Sequence, residues 1–112
     1  MSTASQSIPD LGPAPIFAAL GDRTRLSLLM TLSSGGTRSI ARLSAETKLT
    51  RQAVTKHLHV LENAGLVSSV RVGRESRFAY RPEPVARART YLDRVSEQWD
   101  ETLGRLRDFV ER

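Results

Sequence analysis

Arg51, Gln52, Thr55, Lys56, His57 and His59 lie close together directly after Thr50, and Arg74 and Arg77 follow beyond a Gly-Leu-Val stop at residues 65–67. These side chains suit a polyanion with readable edges. Guanidinium and ammonium groups pair with phosphate oxygens, while an amide or a guanidinium pairs with base edges. They suit catalysis poorly. Neither histidine has a Ser or Cys nucleophile arranged with it, the chain has no cysteine, and no glycine-rich phosphate loop or cofactor motif is present. His57 and His59 are the only histidines. Two residues apart on a helix, they point about 200° apart and cannot easily share a metal ion.

Charge follows the same map. The 112 residues carry a formal charge of +5, but residues 1–37 are neutral and residues 82–112 sum to −1. Residues 38–81 hold nine Arg or Lys (Arg38, Arg42, Lys48, Arg51, Lys56, Arg71, Arg74, Arg77, Arg81) against Glu46, Glu62 and Glu75. The cationic segment therefore coincides with the candidate reading head, as expected of a nucleic-acid binder. Absence of cysteine removes disulfides and thiolate metal sites and is compatible with a reducing cytoplasm. No apolar run approaches the ~18 residues of a membrane span. The first residues also lack a signal peptide's basic start and apolar core, so a cytoplasmic location is expected.

A helix must present the reading head. Thr50 is placed to cap it, Val54, Leu58 and Leu61 form its inward stripe, and Gly65 supplies the left-handed stop. The opposite face is polar. Before it, Ala45 to Leu49 read as the tail and turn of a short helix capped by Ser39, with Ile40 and Leu43 inward and Arg38 and Arg42 phosphate-facing or solvated. Asp22 caps an earlier helix whose inward face is expected from Leu26, Leu29 and Met30, with Leu32 as a further candidate, and Gly35 and Gly36 end it. Ile16, Phe17 and Leu20 form the apolar face of a first helix that starts near Pro13 to Pro15 and stops at Gly21. Residues 1–13 read as a flexible segment and 14–112 as one domain.

After Leu66 the period changes. Val67, Val70 and Val72 make one extended run and Phe78 and Tyr80 another, joined by a turn at Gly73 to Ser76. A basic hairpin directly behind such a helix reads as a wing, with Arg74 at its tip and Arg77 on the return strand reaching for DNA; a plain surface hairpin with solvated arginines is the alternative. Pro82 and Pro84 close the strand. From Val85 to Val110, Ala88, Leu92, Val95, Trp99, Leu103, Leu106 and Val110 recur in steps of three and four. Such a seam exceeds the needs of one small core, so it is expected to meet the same helix, or the first helix, of a second subunit. Folding back over its own domain is the other possibility. The expected class is mainly α with a small β-hairpin, a winged helix-turn-helix with a long C-terminal dimerisation helix.

Taken together, these stretches resemble the ArsR/SmtB family of small bacterial winged-helix repressors. Phe17 to Leu26 (FAALGDRTRL), Leu49 to Val67 (LTRQAVTKHLHVLENAGLV), and Arg71, Gly73, Arg74 and Tyr80 are similar to the family's opening, recognition core and wing. The resemblance implies a homodimer joined through first and last helices, here Ile16, Phe17 and Leu20 with Leu92, Val95, Trp99, Leu103, Leu106 and Val110. It also implies repression at an inverted-repeat operator, with Gln52, Thr55, Lys56 and His57 at operator-facing positions and Arg74 and Arg77 at wing positions. Two departures concern metal. Where the family's thiolate site has cysteines this chain has Ser39 to Ser44, and its last helix offers carboxylates without histidine, a poor set for a transition metal.

The expected function is therefore a homodimeric, sequence-specific double-stranded-DNA-binding repressor with no metal site and no cofactor. In this reading Arg51 and Gln52 address base edges, while Arg38, Arg42, Lys56 and the wing arginines hold phosphates. Thr50 and His59 complete the DNA-facing set. Two other readings stay open: an effector-responsive sensor with a small ligand or an ion bound near the dimer interface around Tyr91, Trp99 and Leu103, and a winged-helix protein-interaction module that binds no DNA.

Overall fold

The computed structural model describes residues 12–112. The flexible segment expected at 1–13 lies outside the described residues as far as residue 11. Eight elements follow in order: α1 (Ala14–Leu20), α2 (Arg23–Ser33), β1 (Arg38–Ser39), α3 (Ile40–Thr47), α4 (Arg51–Asn63), β2 (Val67–Val72), β3 (Glu75–Tyr80) and α5 (Pro82–Val110). Three of the helix starts are capped by the side chains that the sequence points to. Asp22, Ser39 and Thr50 accept the backbone N–H of Arg25, Arg42 and Ala53 respectively.

One core joins the elements. Ile16 and Ala19 of α1, Leu28, Leu29 and Leu32 of α2, Leu43 of α3, the α4 stripe Val54, Leu58 and Leu61, Leu66, Val67, Phe78 and Ala88 form a single buried cluster. The inward face expected for α2 is wrong in two of its residues. Leu26 is 44% and Met30 68% exposed, whereas Leu28 is fully buried. With Leu26, Leu28, Leu29, Met30 and Leu32 all apolar, α2 has no clean stripe, and the packing partners rather than the period choose its face.

The wing is a sheet of three strands in the order β1-β3-β2, both pairings antiparallel. Arg38 lies opposite Phe78 and Ser39 opposite Arg77, so the start of α3 is stitched to the hairpin. That two-residue strand was not expected. Val72 pairs with Glu75, which reduces the turn to Gly73 and Arg74. Gly73 takes φ +63°, the left-handed region that a two-residue hairpin requires at this position.

Between α3 and α4 the chain turns sharply through Lys48, at φ +62°, and the Ser44 hydroxyl donates to the Leu49 carbonyl. The end of α4 is closed by two further backbone bonds, Gly65 N–H to the Glu62 carbonyl and Leu66 N–H to the Leu61 carbonyl, both 2.9 Å. Gly65, at φ +76°, makes that closure possible.

α5 starts earlier than expected, at Pro82 rather than Val85. Proline in the first helical turn has no hydrogen bond to lose there, so the two prolines open the helix as well as ending the strand. Pro84 and Ala88 are buried against the domain, but no later residue of α5 is, and only Val95 and Gly104 are even half-buried. The helix does not fold back over its own domain. Its 29 residues span about 44 Å, and most of its apolar seam is bare.

Candidate nucleic-acid interface

With Val54, Leu58 and Leu61 sealed in the core, helical geometry assigns the remaining faces of α4. Gln52, Lys56, His59 and Asn63 are exposed and lie opposite the buried stripe. Arg51 and Thr55 lie on one flank, turned toward the wing; His57 lies on the other, turned toward α2. The Thr50 side chain is committed to capping Ala53 N–H at 3.1 Å, and the Thr55 hydroxyl donates to the Arg51 carbonyl at 2.7 Å.

His57 is half-buried, its Nδ1 3.9 Å from Asp22 Oδ2, so it sits at the junction with the α2 cap and not on the outward face. Asp22 is held below the usual carboxylate range, first by the Arg25 backbone N–H and then, against some desolvation, by the charges of Arg25 and His57. Arg25 in turn donates through its guanidinium to the carbonyls of Ala19 at 2.7 Å and Ala18 at 3.3 Å. It thereby closes the end of α1.

Arg38 differs most from expectation. Its side chain is only 17% exposed, with Nη1 donating to the Thr31 carbonyl at 2.8 Å, Nη2 to the Ser34 hydroxyl at 3.2 Å, and Nε 3.4 Å from Glu46. The guanidinium binds the end of α2 to α3 and does not face outward. Arg42 does: its side chain is 67% exposed and pairs with Glu46 at 3.0 Å. On the wing, Arg77 is bound to Glu75 through contacts of 3.1 and 3.3 Å. Arg51, Lys56, Arg71 and Arg74 are exposed, and among the described residues none has a side-chain hydrogen bond or ion pair. Arg71, opposite Ser76 on the wing, was not in the expected DNA-facing set. Its place in the charged segment was the available signal.

Among the described residues no three His, Asp or Glu side chains come together in a way that could hold a metal ion. No helix among them is long and apolar enough to cross a membrane.

Comparison with known proteins agrees with this geometry. A helix-turn-helix domain family matches residues 20–70. YuzN, an uncharacterized HTH-type transcriptional regulator of Bacillus subtilis (strain 168), is 41% identical over 76 residues, which cover 62% of this chain and 83% of that protein. An ArsR-like transcriptional regulator from Rhodococcus sp. RHA1 superposes with a TM-score of 0.77 at 36% identity, covering 87% of this chain and 91% of the other. The chain belongs to the ArsR family of winged helix-turn-helix regulators. Members of this family are transcription factors and not enzymes, and this ArsR-family chain is of the branch without recognisable metal-binding residues. A further similar structure is the homodimeric winged helix-turn-helix DNA-binding domain of a possible ArsR-family regulator from Mycobacterium bovis. It matches with a TM-score of 0.61 at 26% identity over 76% of this regulator and 78% of that chain.

Of the expected dimerisation residues, Leu92, Trp99, Leu103, Leu106 and Val110 are exposed, between 53% and 72%. Val95, Phe17 and Leu20 are half-buried. Ile16, at 5%, is consumed by the domain's own core and leaves little surface for a partner. Tyr91 packs its ring against Phe17 at a centroid distance of 6.1 Å, which ties α5 to α1 before the bare part of the seam begins.

Proposed function

We propose that this regulator is a repressor that binds an inverted-repeat operator in double-stranded DNA as a homodimer in the bacterial cytoplasm, independently of any bound metal. The observation that carries the reading is the exposed face of α4, its wing-side flank and the wing, where Arg51, Lys56, Arg71 and Arg74 have no side-chain hydrogen bond or ion pair among the described residues. Cations left unpaired on one surface attract a polyanion and release its counterions on binding. Gln52, Lys56 and His59 then face the major groove, where an amide pairs bidentately with adenine, and the wing arginines follow the flanking backbone.

The homodimer is supported by the bare α5 seam, because a helix with this much exposed apolar surface gains free energy by covering it with its own copy. Two-fold symmetry would set the recognition helices about 34 Å apart, one turn of DNA. Repression follows from occupancy of a promoter-proximal operator.

The test is a gel shift with the protein's own upstream intergenic DNA, with and without excess EDTA and at two salt concentrations. A specific shift, unchanged by EDTA and weakened by salt, is the expected result. Absence of a shift in every condition would overturn the reading.

A further inference from the structure

A cleft of about 440 Å³ lies between the first turn of α3, the start of α4 and the wing tip, lined by Ser39, Ile40, Arg51, Thr55, Arg74 and Ser76 among others. Two of these side chains, Arg51 and Arg74, bring cations to it from different elements. Neither has a side-chain hydrogen bond or ion pair among the described residues. The one acid in its wall, Glu75, is already engaged by Arg77. The opening residues of α3, Ile40 and Ala41, complete the lining, and the leading N–H groups of a helix have no acceptor within it.

We propose that this cleft seats a single backbone phosphate of the operator, gripped by Arg51 on one side and Arg74 on the other. The inference rests on the DNA-binding reading above and reassigns one residue within it. The sequence alone places Arg51 beside Gln52 as a base reader. Arg51 borders Gln52 and Lys56 but lies on the wing side of the outward line of Gln52, Lys56 and His59, where it lines the cleft with Arg74, so it serves as a phosphate clamp. The Thr55 hydroxyl already donates to the Arg51 carbonyl at 2.7 Å, which leaves the phosphate to the two guanidinium groups. Stitching of β1 to β3 at Ser39 and Arg77 holds the α3 wall at fixed distance from the hairpin, which preorganises the seat. A guanidinium fits this task because its planar fork matches two phosphate oxygens at once.

The proposal separates from base readout by experiment. Fluorescence anisotropy would compare wild type, Arg51→Ala, Arg74→Ala and the double variant on two duplexes: the upstream intergenic fragment and a scrambled duplex of the same length and composition. Circular dichroism confirms that each variant is folded. Arg51→Ala should weaken both duplexes by the same factor and leave the preference between them intact, whereas Gln52→Ala should reduce that preference. If both arginines grip one phosphate, the double variant should lose about 0.9 from the slope of log affinity against log salt per protomer, and each single variant less than that. A loss of preference in Arg51→Ala with unchanged affinity for the scrambled duplex would overturn the seat in favour of base reading. Slope losses that add to about 1.8 in the double variant would overturn it in favour of two separate phosphates. Wild-type protein that binds neither duplex would instead sink the DNA-binding reading itself, and the seat with it.

Discussion

Replacing Arg38 with Ala should unfold the domain more readily without removing a DNA contact. The guanidinium makes two hydrogen bonds, at 2.8 and 3.2 Å, and an ion pair with Glu46 at 3.4 Å, from a side chain that is 17% exposed. Hydrogen bonds from a charged donor contribute about 1.5–3 kcal/mol each when made. Desolvating the guanidinium offsets part of that gain, and Glu46 keeps Arg42 as a partner, which leaves a net loss of about 2–3 kcal/mol. For a domain of this size the corresponding fall in Tm is roughly 8–20 °C. Arg42, 67% exposed and paired only with Glu46, is the matched control. Its replacement should cost no more than about 1 kcal/mol. Thermal and urea unfolding by circular dichroism at one fixed protein concentration would measure both, with DNA affinity taken far below either Tm. An Arg38→Ala protein with unchanged Tm, weaker DNA binding and a shallower salt dependence would refute this reasoning and restore Arg38 as a phosphate ligand.

Three further outcomes are expected. Leu28→Ala should destabilise by about 2–5 kcal/mol in urea titration while Met30→Ala stays within about 0.5 kcal/mol, and equal effects would mean that the face of α2 has been misassigned. Because the folded-state pKa of Asp22 is depressed, its capping contribution should be fully present above the unfolded carboxylate value and vanish as pH falls through the lower folded value. Asp22→Asn retains a capping oxygen and should flatten that part of the stability–pH profile; an unchanged profile would show that another group causes it. Trp99→Ala, at a seam position 61% exposed in the protomer, should shift sedimentation toward monomer at low concentration, and an undiminished dimer would place the interface elsewhere.

α4 could be read from the sequence because three independent local signals agree there. Thr50 caps, the Val54, Leu58 and Leu61 stripe gives one unambiguous face, and Gly65 ends the helix in a conformation that residues with a β-carbon resist. The return strand of the hairpin and the long last helix were readable because Phe78 and Tyr80 alternate and the α5 seam advances in threes and fours. The turn, β1 and the start of α5 instead depend on pairings that no local period encodes. Where the period was ambiguous, packing decided. α2 is apolar on several sides, so only its contacts with the rest of the core could select Leu28 over Leu26 and Met30.

The cations divide in the same way. Composition and position determined that residues 38–81 carry the positive charge, because that is a property of the chain. Which arginines are free to meet a partner is a property of the fold. Arg38 is spent on Thr31 and Ser34, Arg77 on Glu75 and Arg25 on the end of α1, while Arg51 and Arg74, on the same cleft, have no side-chain partner among the described residues. A guanidinium's reach spans several residues of sequence in any direction. Its partner is therefore set by which backbone carbonyls and carboxylates the tertiary structure brings within hydrogen-bonding distance, and residue type alone does not encode that choice.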